Sequence, residues 1–194
     1  VEASVLFFVP LKKWAEVQKL TLKNESKETK TLKLFSFEEW CLWNAATDME
    51  NFQRNFSTGE VEIEGSTIYH KTEYRERRNH YAFYHVNTEI QGFDTDRETF
   101  VGLYNEFADP QVVMEGRPRN SHAHGWSPIA SHYIEVTLKP GESKDFVFLL
   151  GYIENEQDKK FSAPQVINKD KAHALIAELD TTAKVDKAFA ELCE

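Results

Sequence analysis

Cysteine is scarce in this chain: Cys41 and Cys193 are the only two in 194 residues. They lie far apart and in different kinds of element, so free cytosolic thiols are the expectation and a disulfide is the weaker reading. Positive charge is in deficit, with a formal net charge of -9 at pH 7. Such a surface repels phosphate backbones and anionic headgroups, which argues against nucleic acid and membrane surfaces as partners. Long apolar runs are lacking: no segment approaches the ~20 consecutive apolar residues of a membrane-spanning helix. A basic secretory leader is lacking as well, because Val1 opens directly on strand-like sequence. Metal-ligand spacing is poor. His122 and His124 form an HxH pair with His132 nearby, but no Cys or carboxylate falls at a compelling distance, and no zinc site is expected. Asp94 and Asp96 lack the Gly and acidic order of a calcium loop and read as turn caps. A cytosolic globular domain, or a piece of a longer protein, is what these absences leave.

What is present is period-two alternation, the signature of strands. Val5, Phe7 and Val9 share one face of a first strand that ends at Pro10. Val17–Leu22 and Thr31–Trp40 flank the polar stretch NESKETK and read as an antiparallel hairpin. Val61 and Ile63 restart the pattern up to Gly65, and Thr67–His70 and His80–Val86 continue it. From Gly92 to Pro128 alternation weakens into a long ordered loop with one helical turn around Asp109–Met114. Ser131–Leu138 and Lys144–Gly151 are strands around a Lys-Pro-Gly-Glu-Ser turn. Many strands and short turns predict a mainly β, antiparallel β-sandwich spanning residues 1–156. Residues 157–194 read as a polar linker and then two amphipathic helices, in which Thr181 or Thr182 caps the second. Val1 begins mid-strand and Glu194 falls inside a helical pattern, so a longer polypeptide is expected.

One connection stands apart. Trp40–Gly59, WCLWNAATDMENFQRNFSTG, packs Trp40, Trp43, Phe52 and Phe56 among Asn44, Asn51, Gln53, Arg54 and Asn55. Forked amide and guanidinium donors interleaved with aromatic faces suit a sugar, whose hydroxyls need bidentate partners and whose C–H face needs a ring. Opposed to this, loop Asn residues usually satisfy their own turns, Arg54 has Asp48 and Glu50 nearby, and large aromatics are more often core or interface anchors. The cluster KTEYRERRN offers Arg75, Arg77 and Arg78 to an anion, but Glu73 and Glu76 among them favour a salt-bridge network.

The strings NFQRNFSTGEVE and HKTEYRERRNH, with FSFEEWCLWNA, GFDTDRETF, GWSPIASH and LGYIEN, resemble the inverting disaccharide phosphorylases, cellobiose phosphorylase most of all. The resemblance runs over nearly the whole chain. It implies a supersandwich of the galactose-mutarotase-like kind, whose C-terminal linker helices lead into an (α/α)6 catalytic barrel. It implies inverting, reversible phosphorolysis of a β-linked glucosyl disaccharide to glucose 1-phosphate and glucose. Inorganic phosphate is the co-substrate, and no metal or organic cofactor takes part. The family's general acid sits in a GFRDxNQD-like barrel motif that these residues do not contain, so no catalytic residue is assigned here. The resemblance also implies a homodimer in which the loop of one subunit shapes the acceptor subsite of the other. Arg54 is then the first substrate-binding candidate, Asn44 and Asn51 the next, and Gln53 and Asn55 their supports. Two other readings stand beside it. One is a stand-alone carbohydrate-binding sandwich that exposes a Trp and Tyr platform. The other is a self-contained sugar epimerase with His70, His85 and Glu73 as acid and base candidates.

Overall fold

The computed structural model describes residues 1–40, 59–72, 79–123, 125 and 128–194. Two antiparallel sheets face each other. The larger contains β1 (Glu2–Phe8), β2 (Ala15–Lys23), β5 (Gly59–Glu64), β6 (Thr67–Thr72), β7 (His80–Val86) and β10 (Ser143–Glu154). Its order is β1-β2-β10-β7-β6-β5. The smaller is built along β9 (Pro128–Leu138), which pairs with β3 (Lys30–Phe35), β4 (Glu38–Glu39) and β8 (Gly92–Asp96). Alternation decides which side chains meet between them. Leu20, Leu22, Ile68, Tyr84, Val86, Phe146 and Phe148 of the larger sheet pack on Ala130, Ile134, Val136 and Leu138 of the smaller. This is the antiparallel sandwich that the sequence predicts.

The expected hairpin between Val17–Leu22 and Thr31–Trp40 does not form. β2 pairs with β1 and β10, while β3 pairs with β9, so the chain crosses from one sheet to the other between them. β9 and β10 cross back in the same way. The two crossings are tied by Asn24, which is fully buried. Its Nδ2 donates to the carbonyls of Glu28 (2.8 Å) and Leu138 (2.9 Å), and its Oδ1 accepts from the Ser26 amide and hydroxyl. Its own backbone bonds to Glu142 and Gly141 of the return crossing. An asparagine can do this because it carries two donors and an acceptor on one short stem.

Each sheet carries helices on part of its outer face. Beyond β8 lie two single-turn helices, α1 (Arg97–Val101) and α2 (Gln111–Glu115). Phe100, Val101 and Val112 pack with Ile129 on the smaller sheet, with Phe35 and Phe37 beside them. The long loop expected between Gly92 and Pro128 is therefore part of the fold. Asp96 caps α1 by accepting from the Thr99 amide (2.7 Å), and Asp94 accepts from the amides of Arg119 and Ser121, in keeping with their reading as turn caps.

On the larger sheet lie α3 (Asp170–Leu179) and α4 (Thr182–Cys193), with Thr181 as N-cap of the latter. Ala172, Leu175, Leu179 and Val185 pack against Val17, Phe83, Val147 and Leu149, so the helices bury their apolar stripes on the sheet itself. The stretch read as a linker is anchored too. It contains a 3-10 turn at Gln157–Lys159 and the small ribbon β11 (Phe161–Ala163) with β12 (Val166–Ile167). Lys71, with a side chain only 4% exposed, pairs with Glu60 (2.7 Å) and Glu62 (3.2 Å). Glu62 also meets Lys169 (3.1 Å) and accepts from the Ile167 amide (3.0 Å), which pins the ribbon to the β5–β6 hairpin.

Gly151 marks a close approach of backbone to ring. A Cβ built there would sit 2.2 Å from two ring carbons of Phe83, which is itself fully buried. Gly151→Ala is expected to cost roughly 2 kcal/mol by overpacking. Denaturant unfolding checks this, and an unchanged midpoint would show that the ring yields freely.

Candidate functional site

The sugar candidates Arg54, Asn44, Asn51, Gln53 and Asn55 lie outside the described residues, as do Trp43, Phe52, Phe56 and Cys41. So do Glu73, Arg75, Glu76, Arg77, Arg78 and His124. What the structure does place is the frame from which residues 41–58 leave and to which they return.

β4 ends at Glu39, and the indole of Trp40 then stacks on the His70 imidazole, with ring centroids 5.5 Å apart and planes 11° from parallel. His70 lies on β6 opposite Val61 of β5, the strand that takes the chain up again at Gly59. Trp40 and Val61, on either side of the undescribed segment, thus both neighbour His70 at one end of the larger sheet. His70 is buried, and burial pushes its pKa down to about 4, so the ring is neutral near pH 7. Neither ring nitrogen, nor Nε1 of Trp40, has a hydrogen-bond partner among the described residues. A part-buried polar chain leads to Glu38, two residues before Trp40. Tyr84 donates to Gln18 Oε1 (3.1 Å), and Gln18 Nε2 donates to Glu16 (2.8 Å) and Glu38 (2.9 Å). Desolvation raises the Glu38 pKa, with the Gln18 hydrogen bond opposing it.

A cleft of about 740 Å³ opens beside α1, lined by Asp96, Arg97, Asn105, Glu106 and Phe107 among others. Its polar groups are largely committed internally. Arg97 Nε donates to Glu39 (2.6 Å) with the guanidinium 4.7 Å from the centre of the Phe107 ring, and Asn105 Nδ2 donates to the Asp109 carbonyl.

The described histidines do not assemble. His132 sits inside the sandwich against Tyr84 and Phe148, its Nδ1 3.0 Å from Ser36 Oγ, while His122 packs edge-on against Phe93. Among the described residues no group of three His, Cys, Asp or Glu gathers to hold a metal ion. His70 shares the inner face of the larger sheet with Ile68. His85 points to the outer face, cross-strand from Thr67, whose Oγ1 is 2.8 Å from its Nδ1. The two imidazoles on which the epimerase reading drew are therefore on opposite faces. The Trp40–His70 pair itself was not foreseen from the sequence. An apolar-to-polar stack between residues thirty apart leaves no spacing signal.

The family described as Glycosyl hydrolase 94, supersandwich domain, matches residues 1–182. An N,N'-diacetylchitobiose phosphorylase of Vibrio proteolyticus is 27% identical over 205 residues, covering 99% of this chain and 22% of that protein. A solabiose phosphorylase of Paenibacillus borealis is 26% identical over 192 residues, covering 95% of this chain and 25% of that protein. The chain thus spans about a quarter or less of the length of these relatives. A solved structure from the human microbiome, assigned as a kojibiose phosphorylase, superposes with a TM-score of 0.53 over 96% of this chain and 20% of its own. At 10% identity that likeness bears on the fold alone.

Proposed function

This chain belongs to the glycosyl hydrolase 94 supersandwich family, and from that premise we propose that it is part of an inverting disaccharide phosphorylase. The observation that carries the reading is the family match, which runs through both sheets and α3 without a break. The proposed reaction is reversible phosphorolysis of cellobiose to glucose 1-phosphate and glucose. Cellobiose is chosen on the strings NFQRNFSTGEVE and HKTEYRERRNH. A phosphate oxygen attacks the anomeric carbon from the face opposite the leaving sugar, as the glycosidic oxygen takes a proton from a general acid and configuration inverts. Inorganic phosphate is the nucleophile, so the chemistry calls for no metal or organic cofactor.

In this reading residues 1–156 form the sandwich and 157–194 the linker helices leading to a catalytic barrel that carries the acid. The enzyme is a cytoplasmic homodimer. The 41–58 segment of one subunit, which follows Trp40 on His70, lends Arg54 to the acceptor subsite of the other. A planar guanidinium gives forked donors to vicinal hydroxyls, and Asn44, Asn51, Gln53 and Asn55 supply amides around it.

Arg54→Ala in the full-length enzyme is expected to raise the glucose KM in the synthetic direction about 10-fold or more, the loss of one charge-assisted hydrogen bond. Folding should be intact. Steady-state kinetics in both directions test this, and unchanged values for both would remove Arg54 from the site.

A further inference from the structure

The turn joining β1 to β2 carries an aromatic surface that the reading above does not use. Lys12 adopts a left-handed φ of 59°, and the Lys13 amide closes the turn on the Pro10 carbonyl (3.2 Å). The chain then delivers Trp14 beside Tyr152 of β10, whose amide donates to the Trp14 carbonyl (3.0 Å). The indole lies on the phenol ring with centroids 5.9 Å apart and planes 16° from parallel. The Tyr152 hydroxyl is held by His80 and Glu154, so the ring under Trp14 is braced. Trp14 is nevertheless 66% exposed. A rigid, flat, solvent-facing indole on a braced support is a stacking surface rather than a core residue.

A cleft of about 290 Å³ adjoins it, bounded by Lys12, Lys13, Glu154, Lys171 and Leu175. Lysines there would suit an anion if they were unmatched. Lys13 pairs with Glu178, however, and Lys171 with Glu156 (3.2 Å) and the Glu154 carbonyl (2.7 Å). With Lys13 and Lys171 matched, a neutral, hydroxyl-rich ligand is favoured, with the Lys12 ammonium and the Glu154 carboxylate at the rim as donor and acceptor. The register supplies a second, independent pointer. Tyr152 pairs with Ala82, and Ala82 with His70, so the platform and the Trp40–His70 pair stand on one row at the same end of the larger sheet. Two strand spacings separate them, roughly 10 Å.

We propose that Trp14, stacked on Tyr152, is a binding platform for a pyranose unit of a neutral glucan, at the same end of the larger sheet as the Trp40–His70 pair. The C–H face of the ring covers the free face of the indole, and its hydroxyls reach Lys12 and Glu154. The assignment rests on the phosphorylase reading only for the choice of a β-glucan as probe.

The test is calorimetric titration of the full-length protein with cellotriose, comparing wild type, Trp14→Ala and Trp14→Phe. Expected is weak, saturable binding with a Kd on the order of millimolar. Trp14→Ala should weaken it at least about 10-fold and Trp14→Phe only a few-fold, since phenylalanine keeps a flat face. Thermal midpoints of both variants, and turnover of the disaccharide, should match wild type. Coincident isotherms for wild type and Trp14→Ala would overturn the proposal. So would tighter binding of glucose 1-phosphate than of cellotriose lost in Trp14→Ala, which would make the cleft an anion site. Loss of phosphorolysis in every form, with the Trp14-dependent titration intact, would sink the phosphorylase reading and spare this one.

Discussion

Unfolding free energy is expected to fall by roughly 3 kcal/mol for each of His70 and His132 as the pH drops from 7 to 4, the equivalent of about two pK units of differential proton binding apiece. Burial pushes the pKa of His70 down to about 4. Burial also pushes His132 to about 3, with the nearby His85 lowering it further. Both rings are neutral in the fold, and an unfolded chain titrates its histidines near 6.5. Between about pH 6.5 and pH 4 the unfolded state therefore binds more protons than the folded one. Stability is fully present above that window and is lost as pH falls through it. The His85 pKa is also lowered, mainly by burial, and acts in the same direction. A combined loss of this size is a large share of the 5–15 kcal/mol that holds a typical domain together. Denaturant midpoints at pH 7, 6 and 5 isolate the histidines, because carboxylates with ordinary pKa values are still ionised there. Identical midpoints at pH 7 and 5 would show that the imidazoles take up protons without disturbing the fold.

The second large effect belongs to Asn24→Ala. The substitution removes both bonds from Nδ2 and the acceptor for Ser26, and leaves the Leu138 carbonyl at the sheet crossing without its partner. Buried groups left unsatisfied cost about 1–3 kcal/mol each, so a total near 3 kcal/mol is expected. For a chain of this size that lowers the thermal midpoint by on the order of 10 °C. Asn24→Asp keeps the acceptor for Ser26 but turns a buried carboxylate oxygen toward the carbonyls of Glu28 and Leu138, and should cost at least as much as alanine at neutral pH. A melting curve for Asn24→Ala that overlays wild type would mean the two crossings hold without their shared side chain.

Local order was largely legible. Alternation located β1 to β7, β9 and β10 within a few residues but missed β8, read as loop, and the β11–β12 ribbon, read as linker. The Gly65 turn and the Thr181 cap stand where their chemistry put them. α1 was missed because RETFV is too short to show a helical period and takes its stability from Phe100 and Val101 packing on Ile129. The candidate sugar residues were legible as a composition and as a family resemblance, and their chemistry can be argued from residue type. Their surroundings had to come from elsewhere, and only the Trp40–His70 pair is in view.

By itself the sequence determined that this would be a β-rich sandwich with two amphipathic helices at its end, and it carried the strings that mark its kinship. Tertiary structure alone decided partners and faces. Period-two alternation is a property of one strand and says nothing about its neighbour, so β2 and β3 read as a hairpin while joining different sheets. The first strand is apolar on both faces: Leu6 and Phe8 pack toward the helices, and Val5 and Phe7 turn to solvent, Phe7 being 60% exposed. Which face of such a strand is buried depends on what lies across from it, and that is settled only when distant segments meet.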